Sequence, residues 1–491
     1  MPSLSVLEQY DTNVFFAPKS QLPAGTKADD FITTLTPQLN FIHGNSLVKT
    51  NLSVGAIIQK FIHNTDLDNV GYNATGGVDL SQAVNRVLPR NRAFRVFGTY
   101  QYTPSASAFG AGSLGAGGMG GGFGTGGFGV SGPMDSGLVT QRIKTTMYNF
   151  GLADSYSLSP TTDFQTTYTY SSLSFGDALT PTTATPGQST AFIDTTTHNI
   201  SAGPSARISA IDSLTVKYMF TKASQGDLGD YTTHSGTLGW GRSWTKEWSS
   251  SLNGGLMLVE PVAVTSAVGG QQRMPATVYP TGGFSVTYGS ASSFLRKLGS
   301  DLQEVTGTGG SASMGGNFLP LVPGMNMPGG IAAPGSYRVS LLYNLGVFPS
   351  FVQTAGPLYS HIISLVSGAG TTDKLTAQAL FNFAHSSSTS DAIGTSFTTY
   401  GTTVSLNYLI TPTLTARLSH QWLQFENQTA GVSAGDFGFA KQVVLFGFTY
   451  AYAPRGDFFR SGAFWESSSG ASSSAQSGIG TSGSGGVDTK K

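Results

Sequence analysis

The chain contains no cysteine and few charges: only 11% of its 491 residues are Asp, Glu, Lys or Arg, and 26 cations balance 26 anions. The missing cysteine excludes disulfides, thiolate metal sites, covalent c-type haem attachment and a lipidated N-terminal Cys. It suits an oxidising compartment without defining one. A soluble globule of this length needs a more charged surface, since roughly 25% of residues in an average domain are charged. With zero net charge there is no basic face of the kind a nucleic-acid partner requires, so no nucleic acid is expected. Nor is there any run approaching ~18 apolar residues, which excludes a helical membrane protein. The opening MPSLSVLEQYDTNVFF lacks a positive n-region and an apolar h-region and is no signal peptide; for an exported protein the sequence is then expected to be a mature or trimmed form.

What the chain does contain is 39% hydrophobic residues, 65 glycines, 31 Phe, 19 Tyr and 5 Trp, too many aromatics for a disordered chain. Its dominant pattern is period-two alternation, repeated about every 15 to 25 residues. Phe94, Val96, Tyr100 and Tyr102 alternate with Arg95, Thr99 and Gln101, and Leu214, Val216, Tyr218 and Phe220 with Thr215 and Lys217. Val339, Leu341, Tyr343, Leu345 and Val347 alternate with Arg338, Ser340 and Asn344, and Val404, Leu406, Tyr408 and Ile410 with Thr403, Ser405 and Asn407. Near the C-terminus Val444, Phe446, Phe448, Tyr450 and Tyr452 share one face, and the smaller Val443, Leu445, Gly447, Thr449 and Ala451 the other. A soluble sandwich would turn a Lys- and Glu-bearing face to water. Here the polar face carries mostly Ser, Thr, Asn, Gln and Gly, the composition of a barrel lumen whose opposite face meets lipid. Hydrocarbon requires every backbone N–H and C=O to be paired, and a closed barrel is the sheet without an edge.

The connections alternate in length. Short turns are predicted at His43-Gly44-Asn45, Leu88-Pro89-Arg90-Asn91, Ser159-Pro160-Thr161-Thr162, Ala210-Ile211-Asp212-Ser213, Thr245-Lys246-Glu247 and Thr411-Pro412-Thr413. Longer polar loops fall around 17–30, 63–69, 176–190, 223–231, 261–281, 386–397 and 427–438. The reading is all-β: a transmembrane antiparallel up-and-down β-barrel over 1–455 of about 18 strands (16–20), with long outer loops, short periplasmic turns and both termini on the short-turn side. Three stretches break the alternation. Residues 108–136 are Gly-rich and are expected as an outer loop. Residues 290–335, with Phe294-Leu295-Arg296-Lys297-Leu298 followed by Gly- and Pro-rich sequence, form a long insertion, a candidate plug or cap that the pattern places on neither side. Residues 456–491 form a polar Ser/Gly-rich tail, expected to be largely disordered, that begins with Phe458, Phe459, Phe464 and Trp465.

The opening Glu8-Gln9-Tyr10-Asp11-Thr12-Asn13-Val14-Phe15-Phe16 and the turn Tyr408-Leu409-Ile410-Thr411-Pro412-Thr413-Leu414-Thr415 resemble bacterial outer-membrane β-barrels, porin-like barrels associated with exopolysaccharide and protein-sorting loci. The resemblance implies an outer-membrane location and a transport or scaffold role, and it carries over no functional residue. The chain departs from it at the C-terminus, where many such barrels end on an aromatic strand and this one continues into the polar tail.

Sequence motifs for chemistry are weak. Gly431-Val432-Ser433-Ala434-Gly435 matches G-x-S-x-G, but in a polar loop between strands and not at a strand-to-helix elbow. The glycine run at 115–129 satisfies G-x-G-x-x-G by density, and no helix follows to receive a phosphate. No enzyme activity and no cofactor are expected. His43, His63, His198, His234, His361, His385 and His420 are scattered singly, without metal-ligand spacing, so no metal site is expected, although histidines far apart in sequence can meet on neighbouring strands. His420 and Asp154 both fall on a face read as lipid-facing; His420 either lies near an interface or marks a bulge, and Asp154 poses the same difficulty. The lumen candidates are Arg95, Lys217, Arg338 and Arg417, either a selectivity-setting constriction or cations neutralised by neighbouring carboxylates or a rim. Tyr100, Tyr102, Tyr218, Tyr343, Tyr450 and Tyr452 read as interface girdle.

The function expected is a porin-like outer-membrane channel passing small solutes or oligosaccharides by diffusion, with the lipid bilayer and the solute as partners. The alternative is a structural sleeve or export scaffold filled by its own insertion or by a partner, such as a multihaem cytochrome or a polysaccharide-export component in the periplasm. A barrel enzyme is a third class, and no convergence of His, Ser and carboxylates supports it.

Overall fold

The computed structural model describes residues 2–15, 22, 25–45, 47–88, 92–107, 142–178, 194–224, 230–245, 247–260, 263–265, 271–273, 276–289, 337–348, 358–370, 374–388, 395–411, 413–429 and 437–451. The first strands are β1 (Pro2–Asp11), β2 (Asp30–Gly44), β3 (Lys49–Phe61), β4 (Asn69–Asp79), β5 (Arg92–Ser107) and β6 (Arg142–Ser159). They are followed by β7 (Thr162–Ala178), β8 (Thr195–Arg207), β9 (Asp212–Ser224), β10 (Asp230–Ser243) and β11 (Trp248–Val259). A small hairpin, β12 (Ala263–Thr265) and β13 (Gln271–Arg273), stands apart in the next connection. The series resumes with β14 (Thr277–Gly289), β15 (Tyr337–Phe348), β16 (Leu358–Gly370) and β17 (Leu375–Ser388), and ends with β18 (Thr395–Thr411), β19 (Leu414–Thr429) and β20 (Phe437–Ala451).

Leaving out the hairpin, each strand pairs antiparallel with its neighbours in sequence, and β1 also pairs with β20, so 18 strands close into an up-and-down barrel. The seam runs in register from Ser3 opposite Ala451 to Asp11 opposite Val443, and the Ser5 and Thr449 hydroxyls meet across it at 3.0 Å. Among the described residues no helix is long and apolar enough to cross a membrane.

Alternation fixes which face looks where. On β18, Val404, Leu406 and Tyr408 are 49%, 40% and 47% exposed, whereas Thr403 and Ser405 between them are 7% and 4%. Phe446, Phe448 and Tyr450 on β20, and Leu4 and Val6 on β1, likewise point outward. This is the inverse of a soluble protein: large apolar side chains form the outer surface and Ser, Thr and Asn are enclosed. Only a hydrocarbon surrounding makes that outer surface favourable.

An even strand number brings Pro2 and Ala451 to one rim, with the strand ends that flank 45–48, 160–161, 208–211, 244–247, 371–374 and 412–413. The strands that flank all six predicted short turns attach them at this rim, and those that flank all seven predicted long loops attach them at the other. The Gly-rich stretch 108–136, the insertion 290–335 and the tail 456–491 lie outside the described residues. Their flanking strands nevertheless place their attachment points. β5 and β6 hold the first at the long-loop rim, while β14 and β15 hold the second at the short-turn rim, a side the sequence pattern had not assigned. That rim also carries a helix absent from the sequence reading, α1 (Ser81–Val87), in the connection before β5. At its start Asp79 accepts the Ser81 N–H at 2.9 Å.

Candidate functional site: the inner wall of the barrel

Small polar residues line most of the inner face. Thr36, Ser171, Ser201, Ser235, Ser340 and Ser405, each on a different strand, are all buried there. The inward Phe97 on β5 lies against Gly151 on β6, where an added methyl would stand 2.1 Å from its ring. Eighteen strands enclose a bore wide enough for an aqueous channel, provided that short side chains leave it unfilled.

The four lumen candidates do not form a cluster. Arg95 lies on β5, Lys217 on β9, Arg338 on β15 and Arg417 on β19, with three barrel strands between each and the next and five closing the circle. Each is among the first six residues after the short-turn rim. Arg95 is opposite Asp79 on β4, with its Nε 3.9 Å from the carboxylate Oδ2, which is the neutralised arrangement. Lys217, opposite Thr237, and Arg417, opposite Asn407 and Gly447, are half-buried. Arg338 pairs by its backbone with Gly289 and Gly368, and its side chain lies outside the described residues.

Sequence reading missed the most enclosed ion pair of the wall. Lys441 Nζ lies 2.7 Å from Asp11 Oδ2, the two side chains being 9% and 3% exposed. Asp11 also accepts the Gln9 side-chain N–H at 3.2 Å and the Asn13 backbone N–H at 3.0 Å. Beyond β1, Asn13, Val14 and Phe15 are buried, with Val14 N–H donating to the Ala28 carbonyl at 2.8 Å. Leu7, Leu423, Phe425, Phe439 and Leu445 are buried along the same arc, so on β19, β20 and β1 enclosed apolar side chains stand beside the ion pair together with the buried Ser5, Gln9, Ser419 and Thr449. The signal was available: continuing Leu445 and Val443 two residues back along their face reaches Lys441.

The outward face settles two positions that the sequence left open. Asp154 does point outward, close to the short-turn rim, and binds Arg92 Nη2 at 2.8 Å, with that guanidinium 5.6 Å from the Tyr156 ring. His420 sits between Val404 and Val444 in an unbroken register, so no bulge accounts for it. Near the same rim Arg242 lies 4.4 Å from the Trp244 ring and Trp240 Nε1 donates to Asp212 at 3.2 Å, while Trp248 packs on Tyr288. Toward the long-loop rim a second band pairs Tyr168 with His198, Tyr218 with His234 and Tyr343 with His361 through hydroxyl–Nδ1 contacts of 2.8 to 3.0 Å. Two aromatic bands bounding an apolar belt are the outer surface of a membrane barrel. Among the described residues no group of three or more His, Asp or Glu is placed to hold a metal ion. Gly431 to Gly435 and the glycine run at 115–129 lie outside the described residues.

No family model and no curated protein matches the chain. Among solved structures it is similar to OccAB2 of Acinetobacter baumannii, at 10% identity and a TM-score of 0.40 over 92% of this chain and 98% of that one. It is also similar to the outer-membrane protein OpdK of Pseudomonas aeruginosa (11%, 0.38, 91% and 98%) and to the siderophore receptor PiuA of Acinetobacter baumannii (9%, 0.39, 92% and 82%). At that level the likeness assigns neither a solute nor a partner.

Proposed function

We propose that the protein is an outer-membrane channel that passes small polar solutes or oligosaccharides by diffusion through the barrel. The observation that carries this reading is the polarity of the two faces: Ser, Thr and Asn inside a closed 18-stranded wall, with Leu, Val, Phe and Tyr outside. Such a wall gives a hydrated bore at the cost of no unpaired backbone in lipid. The chemistry is passive, and no reacting group is called for. The short-turn rim is periplasmic on this reading, and Arg95, Lys217, Arg338 and Arg417 form a sparse ring of cations near it, at four-strand intervals over most of the circumference. Rings of charge tune which ions enter. Because Asp79 offsets Arg95, the ring gives a mild anion preference and no strong filter.

Liposome swelling tests the reading. Vesicles containing the protein should swell in isotonic monosaccharide and disaccharide at rates that fall with solute size, and vesicles containing only lipid should not. Equal rates in both would reject diffusion through the bore. One observation favours the second reading, a sleeve for a partner: the insertion 290–335 is attached at the same rim as both chain ends. Co-purification of a stoichiometric periplasmic component with a non-conducting barrel would support it.

A further inference from the structure

Two histidines that sequence spacing leaves unrelated are brought face to face. His361 on β16 and His385 on β17 are directly opposite in the antiparallel register, and both are half-buried on the outward face a few residues inside the long-loop rim. Directly opposed residues have Cβ atoms about 4.5–5.5 Å apart. The ring orientations are set from outside the pair. His361 Nδ1 is 3.0 Å from the Tyr343 hydroxyl on β15, and His385 Nδ1 is 3.0 Å from the Thr398 hydroxyl on β18. Each Nδ1 edge is thus turned toward the strand flanking the pair. In an imidazole the Cδ2–Nε2 edge is opposite the Nδ1 edge, so both Nε2 edges are turned toward the midline between β16 and β17.

We infer that His361 and His385 form a cross-strand binding site for a first-row divalent metal ion at the outer surface of the barrel. A hydroxyl that accepts the Nδ1 proton fixes the tautomer whose Nε2 lone pair is free, the usual support of a metal-binding histidine. In this assignment the Tyr343 and Thr398 hydroxyls, each 3.0 Å from an Nδ1, are the acceptors, which leaves both Nε2 lone pairs to the metal. The Tyr359 ring, nearly perpendicular to the His361 imidazole with 5.5 Å between ring centroids, shields one flank. No third protein ligand stands with the pair among the described residues, so water completes the coordination and the ion exchanges with solution. Two imidazole nitrogens select borderline metals over Mg2+ and Ca2+, with Cu2+ at the head of the affinity order.

The test is titration of the full-length detergent-solubilised protein with Cu2+ alone, read by electron paramagnetic resonance. One ion per chain should bind, with hyperfine coupling to two equivalent nitrogens. His361→Gln and His385→Gln should each weaken binding at least tenfold and remove one nitrogen coupling. Thr398→Val, which releases the His385 ring, should weaken it severalfold. His420→Gln, which removes an outward histidine with no opposing imidazole, should bind like the wild type. Copper binding unchanged in the folded His361→Gln/His385→Gln double variant overturns the assignment, as does a wild-type spectrum lacking the two-nitrogen coupling.

Discussion

Asp11 and Lys441 lie nearly out of reach of water, and Coulomb attraction offsets the desolvation only while both are present. Lys441→Met leaves the buried Asp11 carboxylate without its counter-charge and should cost about 3–5 kcal/mol in urea unfolding monitored by tryptophan fluorescence. The double variant Asp11→Leu/Lys441→Met should recover most of that loss. A second residue-scale prediction concerns Asp68, in the connection after β3. Partial burial pushes its carboxyl up, but the hydrogen bond from Lys60 Nζ and the Phe61 N–H outweigh that and bring it below the ordinary carboxylate value. A depressed carboxyl stabilises the fold above the unfolded-state value near 3.9 and loses that contribution as pH falls through the folded-state value. Amide exchange at Phe61, corrected for intrinsic rate, should therefore be protected at pH 6 and lose protection in acid, and Asp68→Asn should abolish the difference. Such partnerships were only half legible in the sequence. Arg95 was recognisable as inward from its alternation, but its partner Asp79 lies across a helix-containing connection and becomes visible only once the register is known.

At the scale of the strand, legibility was high because one physical rule acts on every element. Lipid outside and water inside force the alternation, so each run of aromatic or branched residues at every second position marks its own outward face. Substitution should expose that division. Leu406→Arg places a guanidinium against hydrocarbon and should cost about 2–4 kcal/mol if the site is near the bilayer midplane. Ser405→Arg, one residue earlier but facing inward, should fold normally and reduce single-channel conductance. Equal destabilisation by both would mean that the faces are misassigned. What the pattern missed has no such driving force. The helix Ser81–Val87 is too short to show a helical period, and the hairpin β12–β13 lies in a connection where neither face is constrained by lipid. The side of the 290–335 insertion was hidden because alternation reports faces, whereas the side follows only from the parity of a complete strand count.

For the whole molecule, closure is the decisive property. The seam between β1 and β20 leaves no edge of the sheet unpaired, and the outer surface between its aromatic bands admits lipid alone. Charge on the wall then acts as a property of the bore as a whole. Asp79→Asn should leave Arg95 uncompensated and move the reversal potential toward anion preference, whereas Arg95→Gln should move it toward cations. Single-channel recording of the purified protein in a planar bilayer, with the reversal potential measured under a salt gradient, decides whether the bore conducts. An open bore gives discrete, reproducible conductance steps with a mild anion preference that shifts in opposite directions in those two variants. A membrane that stays silent, with protein shown independently to be folded and inserted, would contradict it.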